Sequence, residues 1–420
     1  MHPFTLVFLL ALTAVLITRL WLARRQIRAV SAQRDHVPDA FRHDIPPDQH
    51  RQAADYAVER ARFGRVDAVT DALLLLFWTL GGGIAMVDAG WRGLELGPIA
   101  TGIGVIFAVV LISAVIDLPL RAWRIFVIEE RFGFNRMTPS LFLADLARMA
   151  VLALLAGVPL LALVLWLMQA AGGLWWLWVW GVWLAFNLTI IWAWPRFIAP
   201  LFNAFRPLAD AELRARIDDL VQRCGFHNGG VYVIDGSRRS RHANAYFAGF
   251  GRNRRIVFYD TLLAQLSHDE IEAVLAHELG HFRHGHIRRM ITMSAGVSLA
   301  GLAGLAWLMQ QPWFYFSLGV PIPSDYAALL LFLLITPLAT HFLKPLFARL
   351  SRHHEFEADA FAARQCPAEH LVAALVTLYR ENAGTLTPDA LHSAFYDSHP
   401  PAMQRIAHLR RCAAEPAGPE

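Results

Sequence analysis

The chain has 420 residues, 56% of them hydrophobic and 17% charged, against about 45–50% and about 25% in soluble domains. So much apolar material excludes a disordered or fibrous chain and argues against a purely soluble one. The formal net charge is +4, and every basic residue but Lys344 is Arg, a bias of GC-rich genomes such as many bacterial ones.

Apolar stretches long enough to cross about 30 Å of hydrocarbon recur along the sequence. They lie at 4–22, 68–88, 99–119, 148–170, 174–195, 290–310 and 325–343. The first reads as a retained anchor. MHPF carries no basic residue, and no small-residue cleavage site precedes Arg19, Arg24, Arg25 and Arg28. Asp71 and the Gly81-Gly82-Gly83 run interrupt the second, whereas the fifth, LWWLWVWGVWLAFNLTIIWAW, is continuous. Asp71, Asp117, Asn187 and His341 fall inside spans, either as polar contacts between helices or as the lining of a wet chamber.

Loops 23–67, 120–147 and 196–289 and the tail 344–420 hold nearly all the Arg. The alternate loops 89–98, 171–173 and 311–324 hold only Arg92. The positive-inside rule then puts the N-terminus outside and the basic segments in the cytosol. The chain divides accordingly. Residues 1–66 are the first span and a linker, and 67–195 are spans two to five. A cytosolic unit at 196–289, spans six and seven at 290–343 and a cytosolic tail at 344–420 follow. The two cytosolic pieces share one compartment.

Residues 267–286 read SHDEIEAVLAHELGHFRHGH. Ser267 and Glu270 form a capping-box start, and Ile271, Val274, Leu275 and Leu279 follow at helical spacing. His277 and His281 are then i and i+4 on one face, within reach of one ion. Glu278 adjoins the first His, as in the H-E-x-x-H helix of zinc proteases, where the carboxylate takes a proton from a water on the metal. A catalytic zinc needs a third ligand and an open position. The tail supplies Glu355, with Asp359 one turn on to hydrogen-bond the far nitrogen of a ligand His. Glu357 falls on another side and reads as solvent-exposed. His353 and His354 are rival ligands in a basic segment that reads as exposed, and His284 and His286 lie off the metal face.

HELGH, EFEAD and seven spans together resemble the type I CAAX prenyl proteases, integral-membrane zinc endopeptidases. FVIEERFGFNRMT (126–138), PRFIAPLFNAFRPL (195–208), HANAYFAGFGRNRRIVFYDTLL (242–263) and SHPPAMQRIAHL (398–409) match further family segments, and the likeness covers about 60–410. Bacterial heat-shock membrane zinc proteases share the metal motifs but have fewer spans. The resemblance implies a mainly α, polytopic membrane protein. Its seven transmembrane helices form a barrel around a water-filled chamber, closed by a zincin-like metalloprotease domain with a short β-sheet. It implies one zinc ion per chain and cleavage before the last three residues of a prenylated C-terminus. Eukaryotic members sit in the endoplasmic reticulum, and a bacterial member would sit in the inner membrane.

Other residues have a chemical reading of their own. Asn244 and Tyr246 lie on an alternating run that fits an edge strand, able to pair with an extended substrate. Asn244 would then clamp a substrate amide or carbonyl, and a turn-forming Asn is the plainer reading. His399 before Pro400-Pro401 suits donation to an oxyanion. Arg405 fits either a carboxylate near the site or the C-terminal carboxylate of a substrate. Arg238, Arg239, Arg241, Arg252, Arg254 and Arg255 suit anionic headgroups rather than nucleic acid. The expected partners are therefore a peptide or protein substrate and membrane lipid. Two other functions stay open: a membrane quality-control zinc protease of broad specificity, and a transporter with an incidental motif.

Overall fold

The computed structural model describes residues 2–226, 229–248 and 255–414. Six helices come first: α1 (Pro3–Ala32), α2 (Pro47–Trp78), α3 (Gly83–Arg92), α4 (Pro98–Trp123), α5 (Pro139–Ala170) and α6 (Trp175–Ala193). Short α7 (Ala199–Phe202), then α8 (Ala211–Arg223) and α9 (Asp260–Gln265), flank four strands. These are β1 (Phe205–Pro207), β2 (Val231–Ile234), β3 (Ala245–Ala248) and β4 (Arg255–Tyr259). The remainder is α10 (His268–Arg283), α11 (His286–Leu308), α12 (Pro312–Phe316), α13 (Asp325–His341), α14 (Lys344–Gln365), α15 (Ala368–Glu381), α16 (Ala390–Tyr396) and α17 (Ala402–Ala414).

Five helical runs are long and apolar enough to cross a membrane: Pro3–Ala32, Pro98–Glu129, Pro139–Ala170, Gly172–Phe202 and His286–Leu308. Two bent pairs, α2 with α3 at 47° and α13 with α14 at 65°, raise the number to as many as seven if each pair is one span. The first bend falls at the glycine run that interrupts the second expected span, where Gly82 adopts φ +76°. Two runs pass through π-helical turns, Arg124–Glu129 and Trp194–Ile198, just as they leave their apolar stretches.

The membrane helices are joined mainly at one end. The buried residues of α4 stop at Val109, those of α5 are Val164, Leu165 and Met168, and those of α6 are Trp175 and Val179. With Trp78, Ile84, Phe314 and Tyr326 they make one apolar core, remote from the H-E-x-x-H helix. Toward that helix the walls spread. Leu111, Val115, Leu143, Leu155, Trp192 and Met290 are exposed there. The buried contacts among the membrane helices are thus concentrated at one end.

Of the polar residues within spans, Asp71 accepts from Arg19 at 2.8 Å. Asp71, Asp117, Arg19, Asp67, Arg121 and Arg124 line a cavity of about 390 Å³. Asn187 donates to the Trp183 carbonyl of its own helix, and His341 is buried against Phe395 of α16.

A second core unites β2, β4, α8, α10, α14, α15 and α17 through Ile217, Val231, Phe258, Leu275, Phe361, Leu371 and Ile406. Val37, Phe41 and Ile45 from the α1–α2 connection belong to it, so this linker is built into the metal-motif unit. The strand order is β1-β2-β4-β3, with β2 and β4 parallel and the outer pairs antiparallel. β3 is an edge strand among the described residues, as its alternation suggests.

The basic cluster near the sheet is not simply a lipid-facing surface. Arg239 is largely buried and grips both oxygens of Asp145 on α5, at 2.8 and 3.0 Å, while Arg255 lies over the Tyr232 ring. Arg252 and Arg254 lie outside the described residues.

Candidate metal centre

α10 starts as its sequence requires: Ser267 and Glu270 complete both halves of a capping box. Ile271, Leu275 and Leu279 bury one stripe of the helix, and His277 is buried beside them. α14 crosses α10 at Gly280, where an added Cβ would meet the Ala358 backbone at 2.9 Å. Glu355 and Asp359, one turn apart on α14, therefore come up against His277 and His281.

Three residues form a small triangle of donors, in which Glu355 meets the two imidazoles with different oxygens. His277 Nε2 and His281 Nε2 are 3.2 Å apart. Glu355 Oε2 is 3.5 Å from His277 Nε2, and Glu355 Oε1 is 3.3 Å from His281 Nε2. Metal bonds of 2.0–2.1 Å in a tetrahedron give edges of about 3.3 Å, and each of these three separations is close to that length. Two imidazoles and a carboxylate are a borderline-hard donor set that suits a divalent metal ion.

The surrounding charges hold these donors in place. Asp359 is fully buried and lies 2.9 Å from His277 Nδ1. Arg405 Nε donates to the second Asp359 oxygen at 2.9 Å, and Arg405 Nη1 is 3.5 Å from Glu355. Burial opposes ionisation of Glu355, yet His277, His281 and His399 hold its carboxyl far below the usual carboxylate range. Burial also opposes ionisation of Asp359, and Arg405 and His277 outweigh it. Burial and Arg405 disfavour a charged His277, but its bonds to Asp359 and Glu355 prevail and raise it to about 9.

Glu278 is half-buried and makes no hydrogen bond or ion pair among the described residues. His399 Nδ1 sits 2.6 Å from Glu355 Oε2 with its ring 62% exposed. Asn244 is exposed; its side-chain oxygen accepts from Ala245 N at 2.8 Å and its carbonyl from Tyr259 N. Tyr246 is half-buried near the Tyr259 ring, and burial pushes its hydroxyl up to about 12. No contact joins Asn244 or Tyr246 to the triangle among the described residues.

One open reading is decided and three expectations need correction. Arg405 is buried and committed to Asp359, which leaves no guanidinium for a substrate carboxylate. Glu357 is not a free surface group, because it accepts from His286 Nε2 at 2.8 Å. His286 is 2% exposed and touches His281, and His354 is 3% exposed and stacks on His286. Burial pushes His286 down to about 4 against the pull of Glu357, so it is neutral at physiological pH. These three escape a reading by helix faces because Gly285, at φ +67°, turns the chain back between two helices. Gly285, of a residue type that commonly ends a helix, was the signal available in the sequence.

Comparison with known proteins points to one family. Residues 26–204 match the family model described as CAAX prenyl protease N-terminal, five membrane helices, and 207–413 match Peptidase family M48. The chain is 36% identical to a CAAX prenyl protease 1 homolog of Oryza sativa subsp. japonica, over 72% of this chain and 71% of that protein. It is 35% identical to CAAX prenyl protease 1 of Saccharomyces cerevisiae, over 71% and 69%. The crystal structure of S. mikatae Ste24p superposes with a TM-score of 0.90 at 29% identity, over 97% of this chain and 99% of that one.

The crossing at Gly280 yields a prediction. Gly280→Ala forces the Ala358 backbone away and should cost about 1–3 kcal/mol, as overpacking does. Gly296→Ala, where a Cβ meets nothing within 4 Å, should cost nothing. Denaturation of both variants in detergent checks this, and equal stabilities would mean that the crossing tolerates a methyl group.

Proposed function

The chain belongs to peptidase family M48, among the CAAX prenyl proteases, and is an integral-membrane metalloendopeptidase; from that premise we propose that it is zinc-dependent and processes the C-termini of prenylated proteins. His277, His281 and Glu355 would hold the metal, one ion per chain. The observation that carries this reading is the triangle of donors beside an unpaired Glu278. Zinc bound there supplies a Lewis acid and brings the pKa of water to about 7.

The protein's own groups do the rest. Glu278, next to His277 and free of partners, takes the proton of the attacking water and passes it to the leaving amine. Asp359 fixes His277 with Nδ1 as donor, so that Nε2 keeps its lone pair for the metal. His399, on an exposed loop that Pro400 and Pro401 keep extended, donates to the oxyanion as it develops. The free edge of β3 binds an extended substrate by main-chain pairing, and the Asn244 amide nitrogen is free to donate to it. The distribution of Arg between alternate loops supports a site on the cytosolic side.

Prenyl specificity is supported by the names of the relatives and by the splayed, apolar helix walls facing the metal-motif unit. Peptides with one C-terminal sequence, farnesylated or not, test it: release of a tripeptide from the farnesylated form alone is expected. Equal cleavage of both would instead identify a broad-specificity quality-control protease.

Glu278→Gln keeps the shape but cannot take a proton. Turnover should fall at least about 100-fold with zinc retained, general-base catalysis being worth about 10²–10⁴. Peptide cleavage beside metal analysis checks this, and near-normal turnover would remove Glu278 from the role.

A proton balance follows from His277. Its folded pKa is raised from 6.5 to about 9, so in the metal-free protein its bound proton stabilises the fold fully below 6.5. That contribution fades as pH rises through about 9. The metal takes the place of this proton. Binding should therefore release about one proton at pH near 7.5 and progressively fewer above about 9, with affinity rising with pH until then. Calorimetry in buffers of different ionisation enthalpy measures the release, and a value near zero at neutral pH would contradict it.

A further inference from the structure

The two histidines of the triangle are supported differently. His277 rests directly on the Asp359 carboxylate. The far nitrogen of His281, Nδ1, instead lies 2.9 Å from Nδ1 of His286, and His286 Nε2 lies 2.8 Å from Glu357 Oε2. Proton positions follow from the two ends of this chain. An ionised Glu357 accepts only, so His286 Nε2 carries the hydrogen and donates it. With Nε2 as its donor, His286 presents Nδ1 as the acceptor for a hydrogen on His281 Nδ1, 2.9 Å away. His281 is left with its lone pair on Nε2, the atom in the triangle.

We propose that Glu357 and His286 are positioning residues that hold His281 in its metal-binding tautomer and orientation. This rests on the metal reading of the site. The relay is a built feature. On a continued helix, position 286 would lie about 140° around from position 281. Gly285 at φ +67° ends that helix and opens α11 with His286 buried under His281. Glu357 is itself braced, with Arg289 Nη1 at 3.6 Å and His353 Nε2 at 3.7 Å.

The same residues do not make a second metal site in this arrangement. His286, His354 and Glu357 lie within reach of one another. However, the His286 and His354 rings stack, 4.0 Å between centroids and 11° from parallel. A ring nitrogen aims its lone pair in the plane of its ring, so two stacked rings cannot point at one ion. Both nitrogens of His286 are already engaged, and His354 acts as a flat wall that fixes the ring.

The full-length protein in detergent tests the relay. Zinc affinity is read by competition with a chromophoric chelator, and Co²⁺ absorption reports ligand geometry. Glu357→Ala and His286→Phe should each weaken zinc binding about 10–100-fold, as loss of such outer partners does, and shift the Co²⁺ bands. His286→Phe keeps the ring stacked on His354, so it separates the hydrogen bond from the packing. Glu357→Gln keeps an acceptor for His286 Nε2–H and should restore most of the affinity. Wild-type affinity and an unchanged Co²⁺ spectrum in Glu357→Ala and His286→Phe would overturn the relay. Equal losses in Glu357→Ala and Glu357→Gln, with metal-free melting lowered alike, would mean packing alone and overturn it too. If His286→Phe does not fold, the two Glu357 variants decide. A parent protein that binds no zinc is a different failure, that of the metal centre itself.

Discussion

At Gly280 the backbones of α10 and α14 come so close that a methyl group would strike the Ala358 main chain. The rest of the site depends on this approach, because the donors sit on two helices with a membrane excursion between them. His277 and His281 come from α10; Glu355 and Asp359 come from α14, after α11 and α13. The crossing brings Glu355 within 3.3 Å of His281 and Asp359 within 2.9 Å of His277. Ser267 and Glu270 fix where α10 begins, hence which residues face α14, and the core through Leu275, Leu279 and Phe361 holds the crossing shut.

The membrane part obeys a different constraint. Lipid tails are as apolar as the helices, so no hydrophobic force requires membrane helices to pack along their whole length. They meet where side chains interlock, around Trp78, Val105, Leu165 and Tyr326, and spread elsewhere. The spread leaves room for Arg19, Asp71 and Asp117 to face one another across a cavity instead of entering hydrocarbon. The metal-motif unit is joined directly to two of these helices. α10 passes into α11 through His284 and Gly285, and α13 bends by 65° into α14, so two membrane helices lead directly to the metal donors.

How much of this the sequence disclosed depended on the range of the interaction. Hydropathy located the membrane helices, because burial in lipid acts on each segment separately. The glycine run at 81–83 marked where the second stretch breaks, but hydropathy did not reveal that helices run well past the hydrocarbon. The 3.6-residue period placed His277 with His281 and Glu355 with Asp359, and Asp359 does meet the far nitrogen of His277. The same period misassigned Glu357 and His286, since each is off the metal face of its own helix. They meet because a left-handed glycine turns one helix end toward the other, which no single-helix pattern encodes. Arg405 was ambiguous for a similar reason: Asp359, its partner, lies 46 residues away and is fully buried.

The charge balance explains why so polar a cluster is buried at all. Replacing buried ion pairs by apolar side chains is often neutral or stabilising, so stability alone does not account for this network. Glu355 and Asp359 bring two buried carboxylates against one buried guanidinium, Arg405, which leaves one negative charge uncompensated when both imidazoles are neutral. A buried charge without a partner is costly, and the protein can answer it in two ways. Without metal it draws a proton onto His277, which is why that residue titrates near 9 in spite of full burial. A divalent cation answers it more completely, because it takes the lone pairs of all three donors at once. Arg405 sets the balance: it cancels Asp359 and leaves the charge of Glu355 for the ion. The geometry of the triangle and its charge therefore ask for the same occupant.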